Sequence, residues 1–268
     1  MPTLSARDLL QNIRRACHTG TVMLSLLSLA GCGFLPRPAT VPMATQLERS
    51  ACAQPARTLL VFLPGAGSLP DEFVREGFLR EVQLRRIAAD MVIADAHRGY
   101  YSQRSVLERL DADVIAPARQ QGYRAIWLVG ISLGGLGSLL YEEALPGRIA
   151  GVVALAPYLG EERFIETVTA AGGIATWRAP AEAPTDGVFE PRLWRWLQGY
   201  GAAAGSPATR PPLYLGYGAS DRFAASNAML GAVLPPAQVF ITPGGHDWNA
   251  WRPLWRDILQ VLPLPRCD

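Results

Sequence analysis

The chain has no lysine and few histidines or cysteines, and each shortage excludes a kind of chemistry. All 25 basic side chains are arginine, so neither a lysine Schiff base nor a Ser-Lys catalytic pair is available. The 268 residues contain three histidines and four cysteines, and no cluster of His, Cys and acidic residues has metal-ligand spacing. No glycine-rich turn matches a dinucleotide-binding or phosphate-binding loop. The sequence therefore predicts no cofactor and no metal site.

The N-terminal segment has the pattern of an export signal. Arg14 and Arg15 precede an apolar stretch at residues 21–30, which is too short to be a spanning helix. Residues 29–32, Leu-Ala-Gly-Cys, resemble the lipobox of bacterial lipoproteins, in which the signal is cleaved before a cysteine that receives the lipid anchor. The resemblance implies that residues 1–31 are a lipoprotein signal peptide and that Cys32 is lipidated. An ordinary secretory signal is the alternative.

The same resemblance predicts a place in the bacterial cell envelope. Gly33, not aspartate, follows Cys32, and in lipoproteins this pattern is typical of sorting to the outer membrane. We therefore expect a lipid-anchored protein at the outer membrane, facing the periplasm. Residues 32–56 contain prolines and small or polar residues without a sustained period, which predicts a tether. No second apolar run in the sequence is long enough to cross a membrane.

Charge and cysteine usage narrow the partners further. Without residues 1–31 the chain has 22 basic and 22 acidic side chains, so it has no basic field to attract nucleic acid. Cys17 leaves with the signal and Cys32 is the predicted lipidation site, which leaves Cys52 and Cys267 in an oxidising compartment. We predict a disulfide between these two, with two unpaired thiols as the alternative.

Residues 57–268 alternate between buried strands and amphipathic helices. Apolar runs predict strands at residues 58–63, 91–94, 125–129, 149–155, 213–217 and 239–242. Helical periodicity lies between them, including residues 105–119, 223–234 and 248–262. This alternation predicts one α/β domain with a mostly parallel sheet of six or seven strands and helices on both faces.

A serine lies between glycines where an apolar run stops and a helical pattern starts. Residues 129–135, Val-Gly-Ile-Ser-Leu-Gly-Gly, have the form of a nucleophile elbow, a sharp strand-to-helix turn that exposes the serine hydroxyl. Ligands of parallel sheets bind at the carboxyl ends of the strands, where this turn would lie. Ser132 is therefore the predicted nucleophile.

Residues that follow later strands supply a base and an acid. His246 lies in a glycine-rich loop after the last predicted strand and is the predicted base, with His97 as the alternative. Asp221 follows the preceding strand and could accept the imidazole Nδ1 proton, with Asp247 as the alternative acid. The chain order Ser, Asp, His, with the elbow after an earlier strand, resembles the α/β-hydrolase family over residues 58–262.

The family resemblance implies an oxyanion hole built from two backbone N–H groups. One belongs to the residue after the nucleophile, Leu133, and the other to a loop after an early strand, where Ala66 is the matching residue. Gly67 is an alternative second donor. Pro64 departs from the family pattern, because many members carry histidine at the head of this loop.

The family also inserts a lid or cap where residues 160–210 interrupt the alternation with charged and tryptophan-containing sequence. Its aromatic side chains could line an acyl pocket or simply cover the core as a packed insertion. The candidate substrate contacts are His97, Tyr158 and Trp177.

The leading hypothesis is a serine hydrolase that cleaves an ester or related acyl bond of a small molecule through an acyl-enzyme intermediate. An amide or thioester hydrolase on the same residues is the nearest alternative. A non-catalytic envelope lipoprotein, which uses the hydrolase fold as a binding scaffold, is the alternative of a different class, because a fold does not guarantee activity.

Overall fold

The computed structural model describes residues 37–180, 188–202 and 210–267. The predicted signal peptide, Cys32 and the first part of the predicted tether lie outside these residues. The chain from Pro38 onward forms one compact unit. No helix of the described part is long and apolar enough to span a bilayer.

The described residues form the alternating strands and helices that the periodicity predicts. The strands are β1 (Thr45–Glu48), β2 (Thr58–Leu63), β3 (Ala89–Ala94), β4 (Ala125–Ile131), β5 (Gly151–Leu155), β6 (Leu213–Gly218) and β7 (Val239–Thr242). The helices are α1 (Glu72–Arg75), α2 (Phe78–Leu84), α3 (Arg98–Ser102), α4 (Val106–Leu110), α5 (Ala116–Gln120), α6 (Leu133–Ala144), α7 (Glu162–Ala170), α8 (Glu190–Ala202), α9 (Ala224–Gly231) and α10 (Trp248–Val261). A π-helical turn (Asp111–Ile115) joins α4 to α5, and a 3-10 turn (Pro236–Gln238) precedes β7.

The seven strands form one sheet in the order β1-β3-β2-β4-β5-β6-β7, and every neighbouring pair is parallel except β1 with β3. All residues of β2, β5 and β6 are buried, as expected for parallel strands that are covered on both faces. The predicted sheet is therefore confirmed. Because β4, β6 and β7 are parallel, the residues that follow them meet at one edge.

Strand β1 corrects the predicted start of the domain. It lies inside residues 32–56, where composition predicts a tether, and pairs with β3 in antiparallel register. Its sequence, Thr-Gln-Leu-Glu, is mostly exposed at the sheet edge and lacks the apolar run that reveals the inner strands. Just before it, Met43 is buried and its N–H donates to the Asp113 carboxylate at 2.7 Å. The compact unit thus already includes Met43 and β1, whereas the sequence predicts its start near Arg57.

Helices cover the two faces of the sheet. On one face, Phe62 of β2 packs edge-on against Trp255 of α10, with ring centroids 5.8 Å apart, and Trp255 stacks on Phe78 of α2 at 5.5 Å. Side chains alternate between the two faces along a strand. Phe62 of β2 pairs with Val129 of β4 and shares its face, so the next residue of β4, Gly130, belongs to the opposite face. There it lies against Gly134 of α6.

The predicted lid region, residues 160–210, is a packed layer in its described parts. Trp194 of α8 is completely buried, and its Nε1 donates to the carbonyl of Leu159 at 2.7 Å. Phe164 of α7 packs between Trp177 and Trp194, with centroid distances of 5.6 and 6.0 Å. These tryptophans therefore cover the core.

The C-terminus is tied to the edge of the sheet where the parallel strands begin. A disulfide joins Cys52 and Cys267, the pair that the cysteine count predicts, with Cα atoms 5.3 Å apart. Beside it, the N–H of Cys267 donates to the Arg86 carbonyl at 2.7 Å, and that of Ala88 donates to the Pro265 carbonyl at 2.8 Å. The bond closes a separation of 215 residues.

Candidate active site

Ser132 lies in a strained turn between β4 and α6. Its φ of +53° and ψ of −112° lie in a region that residues with a side chain rarely adopt. The surrounding backbone holds this conformation, because the Ser132 N–H donates to the Leu155 carbonyl at 2.9 Å and its carbonyl accepts from the Tyr158 N–H at 3.1 Å. The turn presents the hydroxyl at the carboxyl edge of the sheet, as a nucleophile elbow does.

The glycines around Ser132 are needed because backbone approaches backbone there. A Cβ on Gly130 would lie 2.1 Å from the Gly134 carbonyl oxygen, and a Cβ on Gly134 would lie 2.1 Å from the Leu63 oxygen. A Cβ on Gly135 would lie 2.9 Å from the side chain of Pro157. Only residues without a side chain let α6 start this close to β2 and β4.

Ser132, His246 and Asp221 form a continuous chain of hydrogen bonds. His246 Nε2 lies 2.9 Å from Ser132 Oγ, across 114 residues of sequence. His246 Nδ1 lies 2.8 Å from one Asp221 carboxylate oxygen and 3.0 Å from the other. Ser132 is 6% exposed and Asp221 is 5% exposed, so both ends of this hydrogen-bonded series are shielded from bulk water. A hydroxyl, an imidazole and a carboxylate thus lie in series, the order that proton removal from the hydroxyl requires.

Close contact between the loop of Asp221 and the loop of His246 brings the imidazole to the carboxylate. A Cβ on Gly218, at the end of β6, would lie 2.4 Å from the Gly244 carbonyl oxygen. That oxygen accepts the Ser220 N–H at 2.9 Å, which holds the loop of Asp221 against the loop of His246. Gly244 itself has a φ of +118°, which favours glycine. The glycines of both loops therefore serve the approach of the two side chains.

Two aromatic rings, which sequence reasoning did not single out, hold the imidazole. The His246 ring packs edge-on against Phe223 at 5.0 Å and against Trp251 at 5.1 Å. The Phe223 N–H also donates to the Asp221 carboxylate at 2.8 Å. Asp side chains commonly accept the backbone N–H of the residue two positions later. The spacing of Asp221 and Phe223 could therefore have revealed this hydrogen bond from the sequence.

The alternative base and the alternative acid have other partners. His97 precedes α3, where its Nδ1 accepts the Gly99 N–H at 3.1 Å and its ring packs on Tyr100 at 4.7 Å. Asp247 precedes α10 and its carboxylate accepts the Asn249 N–H at 2.8 Å. Both side chains act as helix N-caps. The structure brings His246 and Asp221, not this second pair, to Ser132.

The loop after β2 lies beside the serine. A Cβ on Gly65 would come within 3.5 Å of Ser132 Cβ, and Ala66 and Gly67 are the next residues of this loop. Leu133 is the first residue of α6, and the first N–H groups of a helix have no acceptor inside it. The predicted donor Leu133 thus directly follows Ser132, and the predicted donor Ala66 follows Gly65, which lies beside it.

A groove of about 750 Å³ lies along α7, beside residues that contact Ser132 and His246. Tyr158 and Phe223 line its inner end, 5.4 Å apart between ring centroids. The Tyr158 hydroxyl donates to the Glu161 carboxylate at 2.8 Å, and burial, with this carboxylate, raises the pKa of Tyr158. Trp177, a predicted substrate contact, is instead buried in the packed insertion and is not among the residues that line the groove.

The described residues contain no group of three or more His, Cys, Asp or Glu side chains placed to hold a metal ion. In the site itself, both nitrogens of His246 are engaged, one by Asp221 and one by Ser132. The chemistry that this arrangement supports is nucleophilic attack by a hydroxyl with help from a base.

Comparison with known proteins identifies the fold. No protein-family model and no curated protein matches the chain in sequence. Solved structures do match. Est1E from Butyrivibrio proteoclasticus with bound ferulic acid is 14% identical, over 81% of this chain and 94% of its own, with a TM-score of 0.53. The fluorophosphonate-binding serine hydrolase F of Staphylococcus aureus is 16% identical, over 84% and 96%, with a TM-score of 0.53.

A monoacylglycerol lipase from Paleococcus ferrophilus is 16% identical, over 81% of this chain and 99% of its own, with a TM-score of 0.50. At such identities the likeness is one of fold. Together with the observed strand order, it confirms the predicted α/β-hydrolase fold.

Proposed function

We propose that the protein is a serine hydrolase that cleaves an ester or related acyl bond of a small molecule. The observation that carries the proposal is the hydrogen-bonded chain from Ser132 Oγ through His246 to the buried Asp221 carboxylate. The shared fold supports it, because the similar structures include a serine hydrolase and a monoacylglycerol lipase. Ester hydrolysis is therefore the reaction that we put first.

In the proposed reaction, Ser132 Oγ attacks the acyl carbonyl carbon while His246 Nε2 takes the hydroxyl proton. Asp221 holds the Nδ1–H and stabilises the imidazolium that forms. The tetrahedral intermediate collapses when the imidazolium gives its proton to the departing alcohol, which leaves an acyl-enzyme on Ser132. Water, deprotonated by the same imidazole, then releases the acid and restores the serine.

The negative oxygen of the intermediate needs donors in front of Ser132. We propose the backbone N–H groups of Leu133 and Ala66, with Gly67 as the alternative to Ala66, because Leu133 directly follows Ser132 and the loop of Ala66 approaches Ser132 at Gly65. Such a donor typically contributes about 2.7–4 kcal/mol of transition-state stabilisation. Because these donors are backbone groups, the shape of the loop after β2 matters more than its side chains.

A fluorophosphonate probe tests the nucleophile. Wild-type protein should be labelled on Ser132, and Ser132→Ala should lose both the label and about 10⁴- to 10⁶-fold in kcat. Ser138→Ala is the matched control, since Ser138 lies six residues after Ser132 in α6, is completely buried and donates to the Gly134 carbonyl. Folded wild-type protein that takes up no probe would contradict the scheme.

A substrate panel separates the members of the class. An ester, a thioester and an amide of the same acid are compared, and we expect the ester to be hydrolysed fastest. Turnover of the amide or thioester alone would replace the ester assignment and keep the triad. Full biological function of Ser132→Ala in its host would instead favour the non-catalytic scaffold.

We also propose that Cys32 carries a lipid and anchors the enzyme at the outer membrane, facing the periplasm. The support is the resemblance of residues 29–32 to a lipobox and the glycine that follows. Mass spectrometry of the mature N-terminal peptide should find a lipid-modified cysteine at position 32. Cys32→Ala should appear in the soluble periplasmic fraction or remain unprocessed.

A further inference from the structure

The groove along α7 adjoins the proposed active site through two of its lining residues, Tyr158 and Phe223. At its inner end, the Tyr158 N–H is bonded to the Ser132 carbonyl, and Phe223 contacts the ring of His246. One wall is a single face of α7, whose residues Glu162, Glu166 and Ala170 recur at four-residue intervals. From residue 162 to residue 170 that wall is about 12 Å long, at 1.5 Å of rise per residue.

Carboxylates dominate the charge of this groove. Among the described residues that line it, Glu161, Glu162 and Glu166 are acidic and only Arg222 is basic. Neither Glu162 nor Glu166 makes an ion pair with any described residue. Arg222 lies 4.9 Å over the Phe223 ring, so part of its charge faces an aromatic surface. The groove therefore has an excess of negative charge beside an aromatic floor.

We propose that this groove selects esters whose bound segment carries a positive charge, such as a quaternary ammonium group, and disfavours those that carry a carboxylate. This inference rests on the proposed function of Ser132. Aromatic faces attract cations. The carboxylates of Glu162 and Glu166 on α7 add a negative electrostatic potential that also favours a cation. An anionic segment of equal size would meet the like charges of Glu162 and Glu166 on this wall.

Three matched substrates test the selection. They are 4-nitrophenyl esters of one chain length whose acyl ends carry trimethylammonium, tert-butyl or carboxylate, with a second series that carries the same groups on the alcohol. In one of the two series we expect kcat/KM to fall from cation to neutral to anion, with a cation-to-anion ratio of about tenfold or more at low salt. The ratio should approach one at about 1 M salt, where the Debye length is about 3 Å.

Variants assign the ratio to the groove. Glu162→Gln combined with Glu166→Gln should lower the cation-to-anion ratio about fivefold, and Arg222→Gln should raise it. The matched control is Glu108→Gln combined with Asp257→Asn, which changes the net charge equally at two exposed positions that do not line the groove. This control should leave the ratio unchanged.

The outcomes separate this proposal from the proposed function. Wild-type protein that hydrolyses the esters with a ratio near one in both series, or with a ratio that the α7 variants leave unchanged, overturns the groove proposal alone. A preference for the anion that Arg222→Gln abolishes overturns it in favour of carboxylate binding. Binding to Ser132→Ala, measured by calorimetry, needs no turnover, and equal affinities for cationic and anionic esters overturn the proposal even if the enzyme is inactive.

Discussion

The two edges of the sheet each contain a buried aspartate, and the two carboxylates are used in different ways. At the edge where the strands begin, Asp90 accepts hydrogen bonds from the Ser50 N–H at 2.8 Å, from Arg49 at 2.8 Å and from the Tyr123 hydroxyl at 2.5 Å. At the opposite edge, Asp221 accepts from the Phe223 N–H and faces an imidazole.

The difference is in where each network ends. The hydrogen bonds of Asp90 form a closed network, because Arg49, which donates to Asp90, also donates to the Tyr123 oxygen. The disulfide lies in the same region. The bonds of Asp221 continue through His246 to the hydroxyl of Ser132. The Asp90 network is closed and stabilises the fold. The Asp221 network ends at the hydroxyl of the proposed nucleophile, so a change in it affects the proposed reaction.

The largest expected effect separates the two aspartates by activity. Asp221→Asn should lower kcat about 10⁴-fold, because the amide favours the wrong imidazole tautomer. Asp90→Asn should leave kcat within about twofold, because its network does not reach the site. Steady-state kinetics with one activated ester compares them. Similar losses in both variants would show that the two edges are coupled and would break the distinction.

A second prediction concerns how tightly the site edge is packed. Gly130→Ala should destabilise the protein by about 3 kcal/mol or more, since the new Cβ would overlap the start of α6. Gly67→Ala is the control, because a Cβ there has nothing within 4 Å. Chemical denaturation measures both. A neutral Gly130→Ala would mean that the elbow can relax.

The third prediction concerns the disulfide of the opposite edge. Replacing Cys52 and Cys267 together by serine should lower the free energy of unfolding by about 2–5 kcal/mol, because the bond restricts a very long loop in the unfolded chain. In contrast to the changes at the site, kcat/KM should stay the same at temperatures where the variant is folded. A large loss of activity with unchanged stability would contradict this division.

The smallest expected effect is a pH dependence of stability through Asp90. Burial raises the pKa of this carboxyl, but the bonds from Ser50, Tyr123 and Arg49 outweigh burial and hold the pKa below its ordinary value of 3.8. The stabilisation is therefore complete above the ordinary value and is lost as pH falls through the lowered one.

Asp90→Asn should accordingly be about 1–3 kcal/mol less stable than wild type near neutral pH, and the gap should shrink below about pH 4. Urea denaturation at a series of pH values measures the gap. A gap that is constant down to strongly acidic pH would show that the charge of Asp90 contributes nothing.

Local patterns predicted most of the inner sheet and the position of the elbow. The β7 bounds agree with the prediction, and the predicted strand at 58–63 coincides with β2, because buried strands are marked by short apolar runs between turn residues. Strand β1 was missed because an exposed edge strand needs no apolar run. The sequence left open whether Trp177 lines a pocket or covers the core, because burial of an aromatic depends on its neighbours in space, and in the structure it is buried in the packed insertion.

By itself the sequence determined the order of the chemistry: a serine in a glycine turn after one strand, then an aspartate and a histidine after later strands, with no lysine to replace them. These signals are local, because turns and periodicity involve residues close along the chain. The tertiary structure decided which histidine reaches Ser132 and which carboxylate reaches that histidine. Those distances follow from strand order and from the approach of loops that no local pattern encodes.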